Sequence, residues 1–200
     1  FHPLRALEMY VDMLKTEVRP TSFTFSSIIK SSTCLKAVDF GDSIHGQVWK
    51  CGFETHLHVQ TAIIDYYSNF GKVVEARTVF DKMPERDGFA WTTMVSAHVR
   101  FGDLSSARKL FDEMPEKNTA SWNTMLNGFA RIGDVESAKQ LFSGILQKDL
   151  ISWTTMINCY SQNKHYKEAL EIFNEMKDNG ISPDEVTMST IISSCAHLGW

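Results

Sequence analysis

The phrases Trp91-Thr-Thr-Met-Val, Trp122-Asn-Thr-Met-Leu and Trp153-Thr-Thr-Met-Ile stand 31 residues apart. A step of that length predicts tandem units, because a segment of roughly 30 residues cannot bury a core alone and must stack on its neighbours. Phe80, Phe111, Phe142 and Phe173 keep the same step, as do Ala76, Ala107, Ala138 and Ala169.

One unit suffices to read the local structure. From Gly88 to Asn118, the residues Trp91, Met94, Val95, His98 and Val99 mark one face of a helix. Phe101-Gly102 interrupts it, Asp103 suits an N-cap, and Ala107, Leu110, Phe111 and Met114 form a second stripe before Pro115. Each unit is therefore a helical hairpin, its small Ala letting the paired helices approach. The expected fold is all-α, a right-handed α-solenoid of stacked helix-turn-helix repeats.

Moving outward, units are placed at 57–87, 119–149 and 150–184, with another at 22–56 whose second helix runs from about Phe40 to Lys50 and ends at Gly52. The units at 22–56 and 150–184 are four residues longer than the others, and residues 1–21 and 185–200 make half-units. The chain opens inside a pattern at Phe1, without Met or a targeting segment, and is read as a fragment.

Composition narrows the function. With 43% hydrophobic and 22% charged residues the chain suits a folded soluble protein, and no apolar run approaches the ~18 residues of a membrane span. A net charge of −4 argues against binding nucleic acid by general phosphate neutralisation, while leaving room for a locally basic groove. Cys34, Cys51, Cys159 and Cys195 follow neither C-x-x-C spacing nor the repeat, so no metal site or disulfide framework is expected. None of the seven His begins an H-x-E, which argues against a zinc deaminase, and no cofactor or catalytic residue is assigned.

Two polar columns stand out. Ser26, Thr61, Thr92, Asn123, Thr154 and Ser189 follow the aromatic column by one position, rotated by ~100° and expected to face away from the core. His56, Asp87, Asn118, Asp149 and Asp184 close their units. The plainer account is that these are cap, turn and solvated-face residues. Against it, an ordinary solvated helix face carries Lys, Glu and Arg, as at Lys109, Glu136 and Lys139, whereas a ladder of small polar groups suits one planar ligand per repeat.

The three Trp phrases, with Ala107-Arg-Lys-Leu-Phe-Asp-Glu-Met-Pro-Glu-Lys-Asn, resemble pentatricopeptide repeats (PPR) of the plant PLS class. Gly41-Asp-Ser-Ile-His-Gly-Gln-Val-Trp-Lys-Cys-Gly-Phe is similar to the second helix of that class's L motif. The resemblance covers essentially the whole chain. It implies a partial P-type repeat at 1–21, L-type at 22–56, S-type at 57–87, 88–118 and 119–149, P-type at 150–184 and a partial L-type repeat from 185.

The resemblance further implies a reader of single-stranded RNA, using the fifth and last residue of each motif. Asp only accepts and so suits the N–H edge of guanine or uracil, whereas an Asn amide also donates, to the N1 of adenine. With the Thr/Asn choice carried over from the family, Thr61/Asp87 reads G, Thr92/Asn118 A, Asn123/Asp149 U and Thr154/Asp184 G, giving 5′-GAUG-3′. Ser26/His56 receives no base, and Ser189 belongs to an incomplete unit. Phe23, His58, Phe89, Ala120, Ile151 and Val186 are the implied base-sandwiching residues, with His58 read as a packing residue rather than a metal ligand. Arg100 and Arg131 occupy equivalent positions that suit either phosphate or plain solvation.

By the same resemblance the array is the address-reading part of a cytidine-to-uridine editing factor in chloroplast or mitochondrion, with accessory proteins contacting its L-type repeats. The uncapped half-units also allow a homodimer. The rival reading is a protein-interaction scaffold of tetratricopeptide type, against which stand the mixed 31/35 spacing and the missing Leu-Gly after each Trp.

Overall fold

The computed structural model describes residues 2–16 and 18–199. The predicted array ends, Phe1 and Trp200, lie outside the described residues, as does Glu17. Every regular element among the described residues is helical: α1 (Pro3–Leu14), α2 (Ser22–Leu35), α3 (Val38–Lys50), α4 (Leu57–Asn69), α5 (Val73–Asp81), α6 (Gly88–Arg100), α7 (Leu104–Glu113), α8 (Thr119–Ile132), α9 (Val135–Gly144), α10 (Leu150–Gln162), α11 (Tyr166–Asp178) and α12 (Glu185–Leu198). The fold class is all-α helical repeat. Packing divides the chain into two compact units, with the division between Ala97 and His98.

In the first unit α2 packs against α1, α3 and α4, and α4 against α5. In the second, α8, α10 and α12 lie in sequence as first helices of successive hairpins, with α9 and α11 packed against them. The repeated aromatic residues explain this order. Phe80 meets Trp91 edge-on at 4.9 Å, Phe111 meets Trp122 at 4.8 Å and Phe142 meets Trp153 at 5.0 Å. Each Phe belongs to a second helix and each Trp to the next first helix, so the 31-residue step measures how hairpins join. Ala76, Ala107, Ala138 and Ala169 are fully buried, as close approach requires.

The difference between short and long units lies in the second helix. First helices α4, α6, α8 and α10 have 13 or 14 residues. Second helices α5, α7 and α9 have 9, 10 and 10, whereas α3 and α11 have 13. The extra four residues are about one helical turn.

The two lengths also end differently. The long helices exit through Gly52 and Gly180, both at φ 75°, with Phe53 N–H bonding Val48 O and Ile181 N–H bonding Met176 O. That left-handed exit suits Gly because it lacks a Cβ. The short helices are closed instead by a cation. Arg86 donates to Phe80 O and Asp81 O, Lys117 to Asp112 O and Met114 O, and Lys148 to Ile145 O. The same three cations sit 4.8, 5.3 and 4.9 Å from the rings of Phe80, Phe111 and Phe142.

Candidate nucleic-acid interface

The last-residue column is built by helix capping. Asp87, Asn118, Asp149 and Asp184 each precede a first helix, and each Oδ1 accepts a backbone N–H three residues on. The donors are Ala90 at 2.8 Å, Ser121 at 2.8 Å, Ser152 at 2.9 Å and Thr187 at 2.8 Å. The plainer reading of these residues as caps is therefore correct for one oxygen of each side chain. It does not exhaust them, because holding Oδ1 on the helix turns the other terminal atom away from it. That atom is Oδ2 in Asp, an acceptor, and Nδ2 in Asn, a donor; the capping bond itself assigns the amide orientation. His56 precedes α4 without a side-chain capping bond.

The first polar column is less exposed than expected. Thr61 and Asn123 are only 5% and 9% exposed, and Ser26, Thr92 and Thr154 are half-buried, while Ser189 is exposed. The sequence places this column off its own hairpin's core, but a neighbouring first helix covers Asn123 and Thr154 from the side. Thr61 and Thr92 donate to the carbonyls of Leu57 and Gly88 one turn back, at 2.8 and 2.7 Å.

Two of the expected pairs come together inside the second unit. Asn123 Nδ2 donates to both oxygens of Asp149, at 3.0 and 3.2 Å, while the fully buried Ser152 donates to Asn123 Oδ1 at 2.8 Å and lies 2.7 Å from Asp149 Oδ1. Thr154 reaches Asp184 indirectly: its hydroxyl lies 2.7 Å from that of Thr187, which donates to Asp184 Oδ1 at 2.7 Å. Burial pushes the Asp149 carboxyl up, but hydrogen bonds from Ser152 and Asn123 outweigh it and hold the group below its usual range. The Thr187 bonds do the same for Asp184. Both stay ionised at neutral pH. Thr92 belongs to the first unit and Asn118 to the second.

In the first unit Ser26, His56, Thr61 and Asp87 line one cleft of about 670 Å³, together with Phe23, His58 and Phe89. Phe23 is 85% exposed and Phe89 64%; Ile151, Val186, Ala120 and His58 are exposed as well. His58 thus corrects the expectation of a packing residue: it follows His56 by two positions, is exposed, and borders the same cleft as Phe89. Arg100 and Arg131 are exposed at the ends of their helices. Among the described residues no His, Cys, Asp or Glu group is arranged to hold a metal, and no helix is long and apolar enough to cross a membrane.

Sequence reasoning missed the residues linking the two columns. Ser121, Ser152 and Thr187 are fully buried, and Ser152 and Thr187 carry the connection just described. Their signal was a small hydroxyl residue three positions after Asn118, Asp149 and Asp184, a spacing that marks a helix start; Ala90 stands in that place after Asp87.

The profile of the PPR repeat matches residues 61–87, 89–119 and 120–150, and that of the PPR repeat family matches 148–197. The chain belongs to the pentatricopeptide repeat family. This sets aside the tetratricopeptide unit as the repeat type. A PPR relative, pentatricopeptide repeat-containing protein At1g06143 of Arabidopsis thaliana, is 69% identical over 80% of this chain and 28% of its own length. Another from that plant, At1g28690, named as mitochondrial, is 34% identical over 45% of this chain and 17% of its own. The chain thus spans less than a third of either relative. Maize PPR10, crystallised in complex with an 18-nt psaJ RNA element, superposes with a TM-score of 0.76 at 18% identity, over 94% of this chain and 29% of that one. At that identity the likeness concerns the PPR fold alone.

Proposed function

We propose that this PPR segment binds single-stranded RNA and reads one base per repeat through the two polar columns. The observation that carries the reading is the bonding of Asn123 to Asp149, first-column to last-column residue of one predicted repeat. Capping supplies the polarity: Asp87, Asn118, Asp149 and Asp184 each spend Oδ1 on a helix start, which leaves an acceptor (Asp) or a donor (Asn) as the second terminal atom. The RNA in the PPR10 complex supports the same ligand class.

On this reading the repeats run 1–21 (partial), 22–56, 57–87, 88–118, 119–149, 150–184 and 185–200 (partial), in the PLS pattern, and the central word is 5′-GAUG-3′. The exposed Phe23, His58, Phe89, Ala120, Ile151 and Val186 flank the bases, and Arg100 and Arg131 meet phosphates. The process is site selection for C-to-U editing in a chloroplast or mitochondrion, the second supported by relatives named as mitochondrial. Any deaminase chemistry lies in another segment or protein. Accessory proteins engage the L-type repeats, and the apolar faces of α1 and α12 provide a route to self-association.

The test is a binding titration of short RNAs carrying GAUG against variants changed at one base. The reading expects each mismatch to cost about 1–3 kcal/mol, which weakens binding by roughly five- to 150-fold. Equal affinity for every variant overturns it.

A further inference from the structure

A second cleft of the first unit, of about 290 Å³, is lined by residues of α3, α4 and α5 and of the segment between α3 and α4. None of its lining residues belongs to the two polar columns. It carries two acceptors without a donor. Glu54 Oε2 and Gln60 Oε1 are shielded from solvent and make no hydrogen bond, and Gln60 as a whole is only 4% exposed. Buried polar groups are almost always paired, so two unanswered acceptors on one small cleft mark the place of an incoming donor.

The charges around the cleft give the sign of that donor. Glu75 adds a second carboxylate, and among the described residues neither it nor Glu54 makes an ion pair. Against them stands Lys82, whose ammonium lies 5.9 Å from the centre of the Trp49 ring. His45 adds no charge at neutral pH: burial, helped by Lys82, pushes its imidazole down against the pull of Asp42. The lining is therefore negative on balance, and a cation already sits at its aromatic wall.

That wall exists because α3 is long. Trp49 is 59% exposed in the last turn of α3. One 35-residue step later its place falls on Pro84, beyond the end of α5 at Asp81, and in the other long helix, α11, it falls on Lys177.

We propose that this cleft binds the guanidinium group of a small ligand, its N–H edge on Glu54 and Gln60 and its face on Trp49. A guanidinium offers several donors in one plane, pairs with a carboxylate through two of them and stacks on aromatic rings. An ammonium answers the acceptors but has no flat face for Trp49. A metal ion is a poor fit, since no His, Cys, Asp or Glu group among the described residues is arranged to hold one. The volume sits at the lower end of ligand sites, roughly 300 Å³, which suits one such group on a short carbon stem. Lys82, at the end of a flexible exposed side chain, gives way to it.

The experiment titrates the protein calorimetrically with methylguanidine and with N-acetyl-argininamide. The first presents the group as a free small molecule, the second as the arginine side chain of a peptide, and the tighter of the two assigns the source. Expected is saturable binding of at least one of them, with the arginine compound about tenfold tighter than N-acetyl-lysinamide if it is the ligand form. The indole N–H resonance of Trp49, assigned by its loss in Trp49→Phe, should shift on saturation. Glu54→Gln should weaken binding by about tenfold, the size of one hydrogen bond to a charged group. Lys82→Met should tighten it severalfold by removing the competing cation. Both positions are at least partly exposed, and far-ultraviolet circular dichroism checks that the variants fold. No saturable binding of either guanidinium compound overturns the proposal, as does binding that Glu54→Gln leaves unchanged. Weaker binding in Lys82→Met overturns it as well, because it marks a site for anions. The GAUG titration on the same variants should be unaltered, so the RNA reading stands or falls separately.

Discussion

Asn123 donates its amide to the Asp149 carboxylate across 26 residues of chain, and the same carboxylate caps α10. The bond ties a first helix to the start of the next one. It is therefore structural as well as part of the proposed recognition pair. A double-mutant cycle with Asn123→Ala and Asp149→Ala, read by urea unfolding without RNA, is expected to give a coupling of about 1 kcal/mol. The cap lost with Asp149 cancels in the cycle. A coupling near zero means that the pair does not hold in solution.

Asn118→Asp tests the outward polarity directly. Asp caps α8 as well as Asn does, so the helix start is kept, while the second terminal atom turns from donor to acceptor. Competition binding should then show the second base moving from A towards G, by about tenfold in the ratio of the two. An unchanged preference removes Asn118 from the site.

The hairpins and both polar columns were legible in the sequence because each rests on periodicity, and stacking repeats the same contacts at every step. Trp91 and Phe80 recur because they touch. Less legible was the depth of Asn123. Periodicity within one helix places it off its own core, but says nothing of Ser152 and Asp149 arriving from the next hairpin. The orphaned acceptors of Glu54 and Gln60 were not legible at all, since an absent partner leaves no trace in residue type.

Acid should act on these caps late. An unfolded Asp titrates near 3.9, and Asp149 and Asp184 titrate lower when folded. Groups depressed in this way contribute their stability above the unfolded value and lose it as pH falls through the folded one. Asp149→Asn keeps a capping acceptor but no longer titrates. Its unfolding free energy should run parallel to that of the unsubstituted protein from pH 7 to 5, with the two curves converging only below about pH 4. Divergence at pH 6 would falsify the assignment.

Gly41 occupies, one 35-residue step earlier, the place that Ala76 fills in the next hairpin. A Cβ at Gly41 would overlap the Tyr66 ring, whose hydroxyl bonds Val38 O and Asp42. Tyr66 is 1% exposed, so its ring has little space to retreat. Gly41→Ala should therefore destabilise the first unit by about 1–3 kcal/mol, despite the better helix propensity of Ala. Thermal unfolding reads this as a drop of several degrees. An unchanged or raised midpoint means that the ring moves freely.

Lys148 should matter more than its partly exposed position suggests. Its ammonium donates to Ile145 O at 2.9 Å and sits over the Phe142 ring, which meets Trp153 edge-on. One cation thus closes a helix end and braces the joint to the next hairpin. Lys148→Met keeps the aliphatic stem and removes both interactions, for an expected loss of about 1 kcal/mol. Lys148→Arg should stay close to the unsubstituted protein, because Arg86 already makes this closure at the equivalent place, with Nε on Phe80 O. The pair of variants separates the cation from the stem: equal losses in both would place the effect in packing, whereas loss in Met alone places it in charge. The long hairpin at α11 supplies the control, since its exit runs through Gly180. Lys177→Met there, which removes a cation over Phe173 but no capping bond, should cost less than half as much.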